Sequence, residues 1–527
     1  ARPPAGSIQS LRIERDPEVL AGRLEDAAHY PGGHASELAV PRTEAEIAEA
    51  LRTASAILPI GAQSSLTGGA TPMGERVLST ARLDRIESIG AGEVRVQAGV
   101  PIETLERALE AAGRHYPPIP TFAGAFVGGT VATNAAGAAT FKHGTTRDWV
   151  RALTLVLPGG EVIDLERGRT QADESGRFEI ELAERTVRFE IPGYRMPRVP
   201  KLSAGYFAAP GMDLVDLIVG SEGTLGIVTA VTLKVLPVRP AICLAFVSFP
   251  KRNAALTFVK RLRDAALETW RTEDPRGLDV AAIEQIDRRC LTLIREDGED
   301  RKNGVEIPDE TEMALLVEIE LPEGTSPEQA FDAIGRARSQ DTPLARFCRM
   351  LEEEGVLDSV QIAVPGDRAR AAQLRGVREA VPAAVNRRVG RAQHDVDARI
   401  NKTAADMIVP FDRVGALLDF YDAEFGRRGL DAAVWGHVSD GNVHPNVIPR
   451  SFAEVESGRQ AILAFGREVL RLGGAPLAEH GVGRNPIKQE LLRMMYGDEG
   501  IEAMRRIKRA IDPEWKLSPG VLFPRQV

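Results

Sequence analysis

The stretch Gly220-Ser221-Glu222-Gly223-Thr224-Leu225-Gly226-Ile227 sets glycines and hydrogen-bonding side chains alternately within one turn of chain. Glycine admits positive φ and close backbone approach, so successive N–H groups can form a concave nest for an anion. Three earlier segments share this character: Pro59-Ile60-Gly61-Ala62-Gln63-Ser64-Ser65-Leu66-Thr67-Gly68-Gly69, Gly128-Gly129-Thr130-Val131-Ala132-Thr133-Asn134-Ala135-Ala136-Gly137, and Lys142-His143-Gly144. Hydroxyls at Ser64, Ser65, Thr67 and Thr133 add donors, a combination that suits a pyrophosphate bridge. No G-x-G-x-x-G follows a strand, so a Rossmann-type site is not expected. Any one of these segments alone reads as an ordinary turn.

Working outward from the glycines, Thr43 and Glu46 form a capping-box pattern ahead of Ile47, Ala50, Leu51 and Ala54 at helical spacing. Ala56 to Ile60 reads as a buried strand, and residues 94–100 alternate like one. Pro101 starts a helix striped by Leu105, Leu109 and Ala112 and ended by Gly113. Leu153 to Leu157 and Val162 to Leu165 flank Pro158-Gly159-Gly160 as a β-hairpin. Residues 166–200 are charged and weakly periodic, a surface excursion. The break at Pro237-Val238-Arg239-Pro240 divides the chain into domains 1–240 and 241–527. In the second, Leu244 to Phe249 and Met313 to Leu321 read as strands, and Ala254 to Trp270 as a helix. Glu296 to Glu312 reads as an acidic solvated loop, and 451–527 as mostly helical. Both domains are α+β.

The second domain holds the other chemistry-bearing stretches, Gly436-His437-Val438-Ser439-Asp440-Gly441-Asn442-Val443-His444 and Ala478-Glu479-His480-Gly481-Val482-Gly483, with three of the chain's eight histidines. His437, His444 and Glu479 make a two-nitrogen, one-oxygen ligand set suited to a divalent metal, zinc first, with manganese or iron as alternatives. His480, next to the third ligand, is placed to act as a base. Asn442 offers a carboxamide to a substrate.

The length of 527 residues allows two or three domains. A net charge of -9 argues against nucleic acid as a partner. No apolar run approaches the roughly 20 residues that span a bilayer. Residues 1–16 lack the layout of an export signal, so the expected location is cytoplasmic, with peripheral membrane contact left open. Cys243, Cys290 and Cys348 are too few and too scattered for an iron–sulfur cluster, so electrons would leave through another cofactor or protein.

Taken together and in this order, the glycine segments resemble the flavin-dependent oxidases and dehydrogenases of the vanillyl-alcohol-oxidase superfamily, with its PCMH-type FAD-binding domain. Within it the chain is most similar to the branch of D-lactate, glycolate and D-2-hydroxyglutarate dehydrogenases. The resemblance runs from about Ser36 to Pro524 and rests above all on residues 220–226, His437 to His444, and Glu479-His480-Gly481. It implies an FAD-binding domain of two α+β subdomains, an α+β cap over the isoalloxazine, and final helices that return to the FAD domain. It places Gly61, Ala62, Gln63, Ser64, Ser65 and Gly68 against the pyrophosphate. Thr130, Ala132, Thr133, Asn134 and Gly137 would line the flavin, and Glu222, Gly223 and Ile227 would contact it and the adenine–ribose half from the other side. The family loop Arg-Gly-Gly-Gly-Thr-Ser appears here as Ile60-Gly61-Ala62-Gln63-Ser64-Ser65, two glycines short. The terminal Asn-Pro-Gly-Lys of many relatives appears as Ser518-Pro519-Gly520-Val521. No histidine lies in residues 59–69, where some relatives attach the flavin, so the FAD is expected to be non-covalent.

The resemblance supports the same metal ligands and base, and marks Arg378 as the carboxylate-binding arginine, with Arg375 as a fallback and Lys402 as a weaker cation. The expected reaction is oxidation of a small D-2-hydroxy acid such as D-lactate, its hydroxyl acidified by the metal and deprotonated by His480 as hydride passes to the flavin. Handedness follows from the resemblance alone. D-2-hydroxyglutarate and glycolate are the alternative substrates, and a non-catalytic or weakly active flavoprotein subunit of a larger complex is a further alternative. A redox-neutral enzyme like alkylglycerone-phosphate synthase is the alternative reaction. Expected partners are the 2-hydroxy acid and an external electron acceptor (quinone, cytochrome, electron-transfer flavoprotein or oxygen), with a homodimer left open.

Overall fold

The computed structural model describes residues 1–7, 11–182 and 184–524. They divide into two compact units, neither contiguous in sequence: residues 1–137, 144–238 and 475–527 form one, and residues 138–143 and 239–474 the other. The change near residue 238 falls within the break read at residues 237–240. Residues 475–527 pack with the first unit, the return of the final helices that the resemblance implied, and residues 138–143 pack with the second.

The first unit is built on two sheets. The smaller orders Ile13–Glu14, Leu38–Ala39, Arg76–Ser79 and Ile57–Ile60, and its last two strands run parallel. Pro59 is tolerated because its strand is at the edge, where a missing N–H breaks no ladder. The larger is antiparallel, ordering Ile86–Ile89, Glu93–Gln97, Ile227–Lys234, Val150–Val156 and Val162–Glu166. The helix Glu44–Thr53 buries Ile47, Ala48 and Leu51 against Ile57, Leu78, Val156 and Ile227. Thr43 caps it by accepting from the Glu46 amide, but the Glu46 carboxylate accepts from Arg42 N instead of closing a capping box. Leu517 enters this same core, and Ser518 N donates to Ile57 O. Lys508 fixes the return of the chain end. Its buried ammonium donates to Thr224 O at 2.6 Å, Leu517 O at 2.7 Å and Asp512 at 2.5 Å. Burial lowers that ammonium to about 8, against the pull of Asp512.

Residues 166–200 are not a structureless excursion. Arg177–Glu181 and Thr186–Glu190 form a two-stranded antiparallel ribbon whose Phe178, Ile180, Val187 and Phe189 are buried. The alternation is regular, but it lasts only five residues per strand and is easily masked by the surrounding charge.

In the second unit an antiparallel sheet carries, in order, Gln361–Ala363, Ala241–Phe249, Met313–Leu321, Asp279–Asp287, Ala432–His437, Asn442–Val447 and Thr403–Ala404, with Met407–Ile408 also on Asn442–Val447. The helix Arg368–Asp395 buries Leu374, Val377 and Val381 in the core beneath it. The expected loop at 296–312 starts inside the helix Arg288–Asp297, contains the short helix Glu299–Lys302 and buries Val305. The helix Phe452–Arg471 belongs to this unit, whereas Pro486–Ile511 belongs to the first.

Residues 138–143 join the second unit through charge and stacking. Lys142 donates to Asp279 at 2.7 Å and to Glu320, His143 Nε2 is 3.0 Å from Glu320, and Phe141 packs on Trp270 at 5.0 Å. Burial alone would raise the Glu320 carboxyl, but His143 and Lys142 outweigh it and hold the group at about 2. A depressed carboxyl stabilises the fold above its unfolded value, near 4.5, and that stabilisation is lost as pH falls toward 2. Glu320→Gln is therefore expected to cost roughly 3 kcal/mol at pH 7, the scale for breaking a buried pair. Denaturant unfolding should show the gap between wild type and variant closing at pH 3.

Candidate flavin and substrate sites

The loop after Ile57–Ile60 shapes the wall of a cavity of about 290 Å³ in the first unit. The amides of residues 61–66 donate no hydrogen bond among the described residues. Buried or half-buried amides need an acceptor, and successive ones facing a cavity form an anion site. Gln63 holds φ +54, a conformation that favours glycine. Its side chain offsets the strain by donating to Arg23 O and Ala70 O, each at 2.9 Å. The loop thus reaches a glycine-like shape without the two glycines.

Residues 128–130 and 132–133, on the helix Val127–Thr133, line the same cavity, as do residues 221–223 and 226–228. Of the residues expected at the cofactor, Gly61, Ala62, Gln63, Ser64, Ser65, Thr130, Ala132, Thr133, Glu222, Gly223 and Ile227 are on this wall. Gly68, Asn134 and Gly137 are not among its lining residues, and each has a packing reason for its identity. A Cβ at Gly68 would lie 2.5 Å from the Tyr30 ring, and one at Gly137 2.2 Å from Ile119 O. Asn134, at φ +49, donates to Leu202 O and accepts from Arg147 N.

Glu479 and His480 line this cavity too. Glu479 is buried and accepts from Lys201 Nζ at 2.8 Å, with the Lys201 side chain wholly enclosed. His480 Nε2 is 3.5 Å from Glu479 Oε1, and about a third of the His480 side chain is exposed. Val482 N and Gly483 N each donate to the Glu222 carboxylate at 2.8 Å. Burial raises that carboxyl to about 7, against the two amides and Lys488. Next in sequence, Arg484 makes a buried ion pair with Glu75 at 2.8 Å and donates to Thr71 O and Pro519 O.

In the second unit, His437 ends one strand of a hairpin and His444 lies on the other, opposite Trp435. The connecting turn needs Gly441, at φ +86, because a Cβ there would be 2.0 Å from Val409 O. Ser439 Oγ accepts from Ile283 N at 3.0 Å and pins the turn to the neighbouring strand. The two imidazoles stand nearly perpendicular, centroids 5.5 Å apart. Each has a carboxylate within reach of its Nδ1: Glu284 is 3.1 Å from His437, and Asp406 is 3.3 Å from His444. Such outer carboxylates orient imidazole ligands.

Glu284 also accepts from Arg378 Nε at 2.9 Å. Burial would raise Glu284, but Arg378 and His437 hold it at about 2. Arg378 is buried rather than a solvated helix charge, and its Nη groups make no hydrogen bond among the described residues. Asn442 donates to Asp406 and Met407 O, both at 2.9 Å, which fixes its orientation. Its buried Oδ1 accepts nothing among the described residues, an orphan acceptor that suits a ligand donor or a metal. Arg375 pairs with Glu318 near the surface, and Lys402 is exposed.

Lys201, Glu284 and Asp406 escaped the sequence reading. Glu284 carried a signal, an acid inside the apolar strand Asp279–Asp287. Asp406 also stood among apolar residues, whereas Lys201 was hidden beside a charged, Arg-rich stretch.

Residues 241–522 match the family "FAD linked oxidases, C-terminal domain", and residues 35–166 match "FAD binding domain". The chain is 27% identical over 476 residues to a D-lactate dehydrogenase of Anaerostipes hadrus, covering 88% of this chain and 83% of that one. It is 27% identical over 529 residues to a D-2-hydroxyglutarate dehydrogenase of Xanthomonas citri pv. viticola, covering 98% and 95%. It is 28% identical over 533 residues to the glycolate oxidase subunit GlcD of Bacillus subtilis, covering 98% and 96%. A solved alkyldihydroxyacetonephosphate synthase superposes with a TM-score of 0.60 at 14% identity, covering 100% of this chain and 87% of that one, which bears on fold alone. The nest of unaccepted amides and the two domain matches agree, and the chain belongs to the FAD linked oxidases, as an FAD-dependent oxidoreductase of the PCMH-type branch that includes the D-lactate, D-2-hydroxyglutarate and glycolate dehydrogenases.

Proposed function

We propose that the chain oxidises a small D-2-hydroxy acid of the D-lactate type to its 2-oxo acid, with D-2-hydroxyglutarate or glycolate as alternatives. The observation that carries this reading is that His480 stands on the wall of the same cavity as the amide nest of residues 61–66. When bound, FAD supplies a hydride acceptor, and a divalent metal, zinc with manganese or iron as alternatives, supplies Lewis acidity at the substrate hydroxyl. Residues 61–66 bind the cofactor's pyrophosphate through their amides. His480 takes the hydroxyl proton on an imidazole nitrogen. Lys201 pairs with the neighbouring Glu479 at 2.8 Å. His437, His444 and Glu479 are the proposed metal ligands, with the Glu284 and Asp406 carboxylates 3.1 and 3.3 Å from the two Nδ1 atoms. Arg378, held at Nε by Glu284, offers its Nη groups to the substrate carboxylate. Asn442 Oδ1 accepts from a substrate donor. The electrons pass to an external acceptor. The three cysteines are each buried and unbonded to one another, and no helix among the described residues is long and apolar enough to cross a membrane.

Acid precipitation should release the yellow colour into the supernatant as intact FAD. A yellow pellet, or FMN alone, would contradict non-covalent FAD. Elemental analysis should find one divalent metal per chain, and chelation should abolish turnover while the flavin spectrum persists. Full activity of metal-free protein would show His437 and His444 to be structural.

His480→Asn should slow stopped-flow flavin reduction by roughly 10²–10⁴-fold while FAD and metal are retained, the usual worth of a positioned base. Arg378→Ala should mainly raise KM, because an anchor acts in ground and transition states alike. Equal reduction rates with the D- and L-acids, or a normal His480→Asn rate, would defeat the mechanism.

A further inference from the structure

Glu222 combines three features that ordinary packing does not require. Its backbone holds φ +52, where glycine would be unstrained. Its carboxylate lies on the cavity wall and is otherwise enclosed, a costly place for an acid. And its two oxygens are used separately: Oε1 accepts from Val482 N and Oε2 from Gly483 N, both at 2.8 Å. Strain at a non-glycine residue persists where the surroundings require that side chain.

The turn that Glu222 grips is tightly confined. Gly481 has φ +78, and a Cβ there would lie 2.9 Å from Glu222 Oε1. Gly483 has φ +58, and a Cβ there would meet Thr67 Oγ1 at 2.2 Å. The segment is therefore wedged between the flavin-facing loop and the Glu222 carboxylate. Arg484 N donates to Thr67 O on the same loop, and Gln489 Nε2 donates to Gly483 O. Glu479 and His480 lie immediately before the turn at residues 481–483, and their side-chain contacts include Lys201 and each other. A carboxylate bridging two successive amides fixes the direction of a peptide segment, which one hydrogen bond cannot do.

We infer that Glu222 is a positioning residue for the reaction: it clamps the turn at residues 481–483 so that the His480 imidazole is held against the flavin cavity. This rests on the reading of His480 as the base. A glutamine at this place can accept from only one of the two amides and turns its own N–H₂ toward the other. An aspartate keeps the charge but is one methylene too short to serve both. Neither change touches the amide nest of residues 61–66, and because Glu222 itself lines the cavity, FAD occupancy of each variant separates a clamp from a cofactor contact.

The test compares Glu222→Gln, Glu222→Asp, His480→Asn and the double variant Glu222→Gln/His480→Asn as FAD-loaded full chains. Amide hydrogen exchange of the peptide spanning residues 478–484 should speed up by about 10-fold or more in both Glu222 variants, with FAD still at one per chain. Flavin reduction by a 2-hydroxy acid should slow by roughly 10–100-fold in each. The double variant should be within about 2-fold of His480→Asn alone, because the clamp acts through that imidazole. Unchanged exchange at residues 478–484, loss of FAD from both Glu222 variants, or fully multiplied rate losses in the double variant would each overturn the clamp. A normal rate in His480→Asn would remove the base assignment alone, and the exchange measurement would still decide whether Glu222 holds the turn.

Discussion

A run of backbone amides with no acceptor among the described residues is the constraint around which the first unit is organised. Residues 61–66 leave the strand Ile57–Ile60 and line a cavity, and their amides donate to no carbonyl among the described residues. Water or an anion must satisfy them, since an orphaned amide costs free energy comparable to a lost hydrogen bond. Holding a loop in that state requires support from every side. Gln63 ties it to Arg23 and Ala70, Arg484 reaches back to Thr67 and Thr71, and the C-terminal strand segment at Leu517 closes on Ile57. The electrostatics of the cavity are mixed in the same way. Acids at Glu222 and Glu479 line it too, the first bonded by two fixed amides and the second by a buried ammonium.

The second unit solves a different problem with the same means. Two imidazoles are carried on adjacent strands of one hairpin, and a third strand supplies Glu284 at the register position opposite His437. Register is what matters, because a slip of one residue would turn Glu284 to the other face of the sheet. The helix bearing Arg378 adds a second hand on the same carboxylate. Pro382, four residues on, cannot donate to the Arg378 carbonyl, so this turn of the helix lacks one of its usual bonds where the guanidinium is presented.

Much of this was legible from residues alone. Met313–Leu321 read as a strand and forms one, and three of the four glycine segments line one cavity, without Gly68, Asn134 and Gly137, whereas Lys142 and His143 pair with Glu320 in the second unit. Legibility failed where a residue's role depends on a distant partner. The alternation in Arg177–Glu181 and Thr186–Glu190 spans too few residues to stand out from the arginines and glutamates around it. Glu46 looked like half of a capping box, yet the nearer Arg42 amide took its carboxylate. Lys201 acquires meaning only once Glu479, far along the chain, is brought to it, and no local pattern encodes that. The loop at residues 60–65 stands two glycines short of the family pattern. The structure keeps the positive φ and moves the compensation into the Gln63 side chain.

The interleaving of the chain has a practical consequence for anyone who wishes to dissect it. A fragment ending near residue 240 would keep both sheets of the first unit but lose Leu517 from its core, the Lys508 ammonium from Thr224 and the Arg484 partner of Glu75. A fragment beginning near residue 241 would lose Lys142 and His143, leaving Glu320 and Asp279 without the cations they face. A single cut therefore leaves buried charges stranded in both pieces. Separately expressed halves should be poorly soluble, and an excised version of either unit would have to be rebuilt by splicing its distant segments together with new linkers.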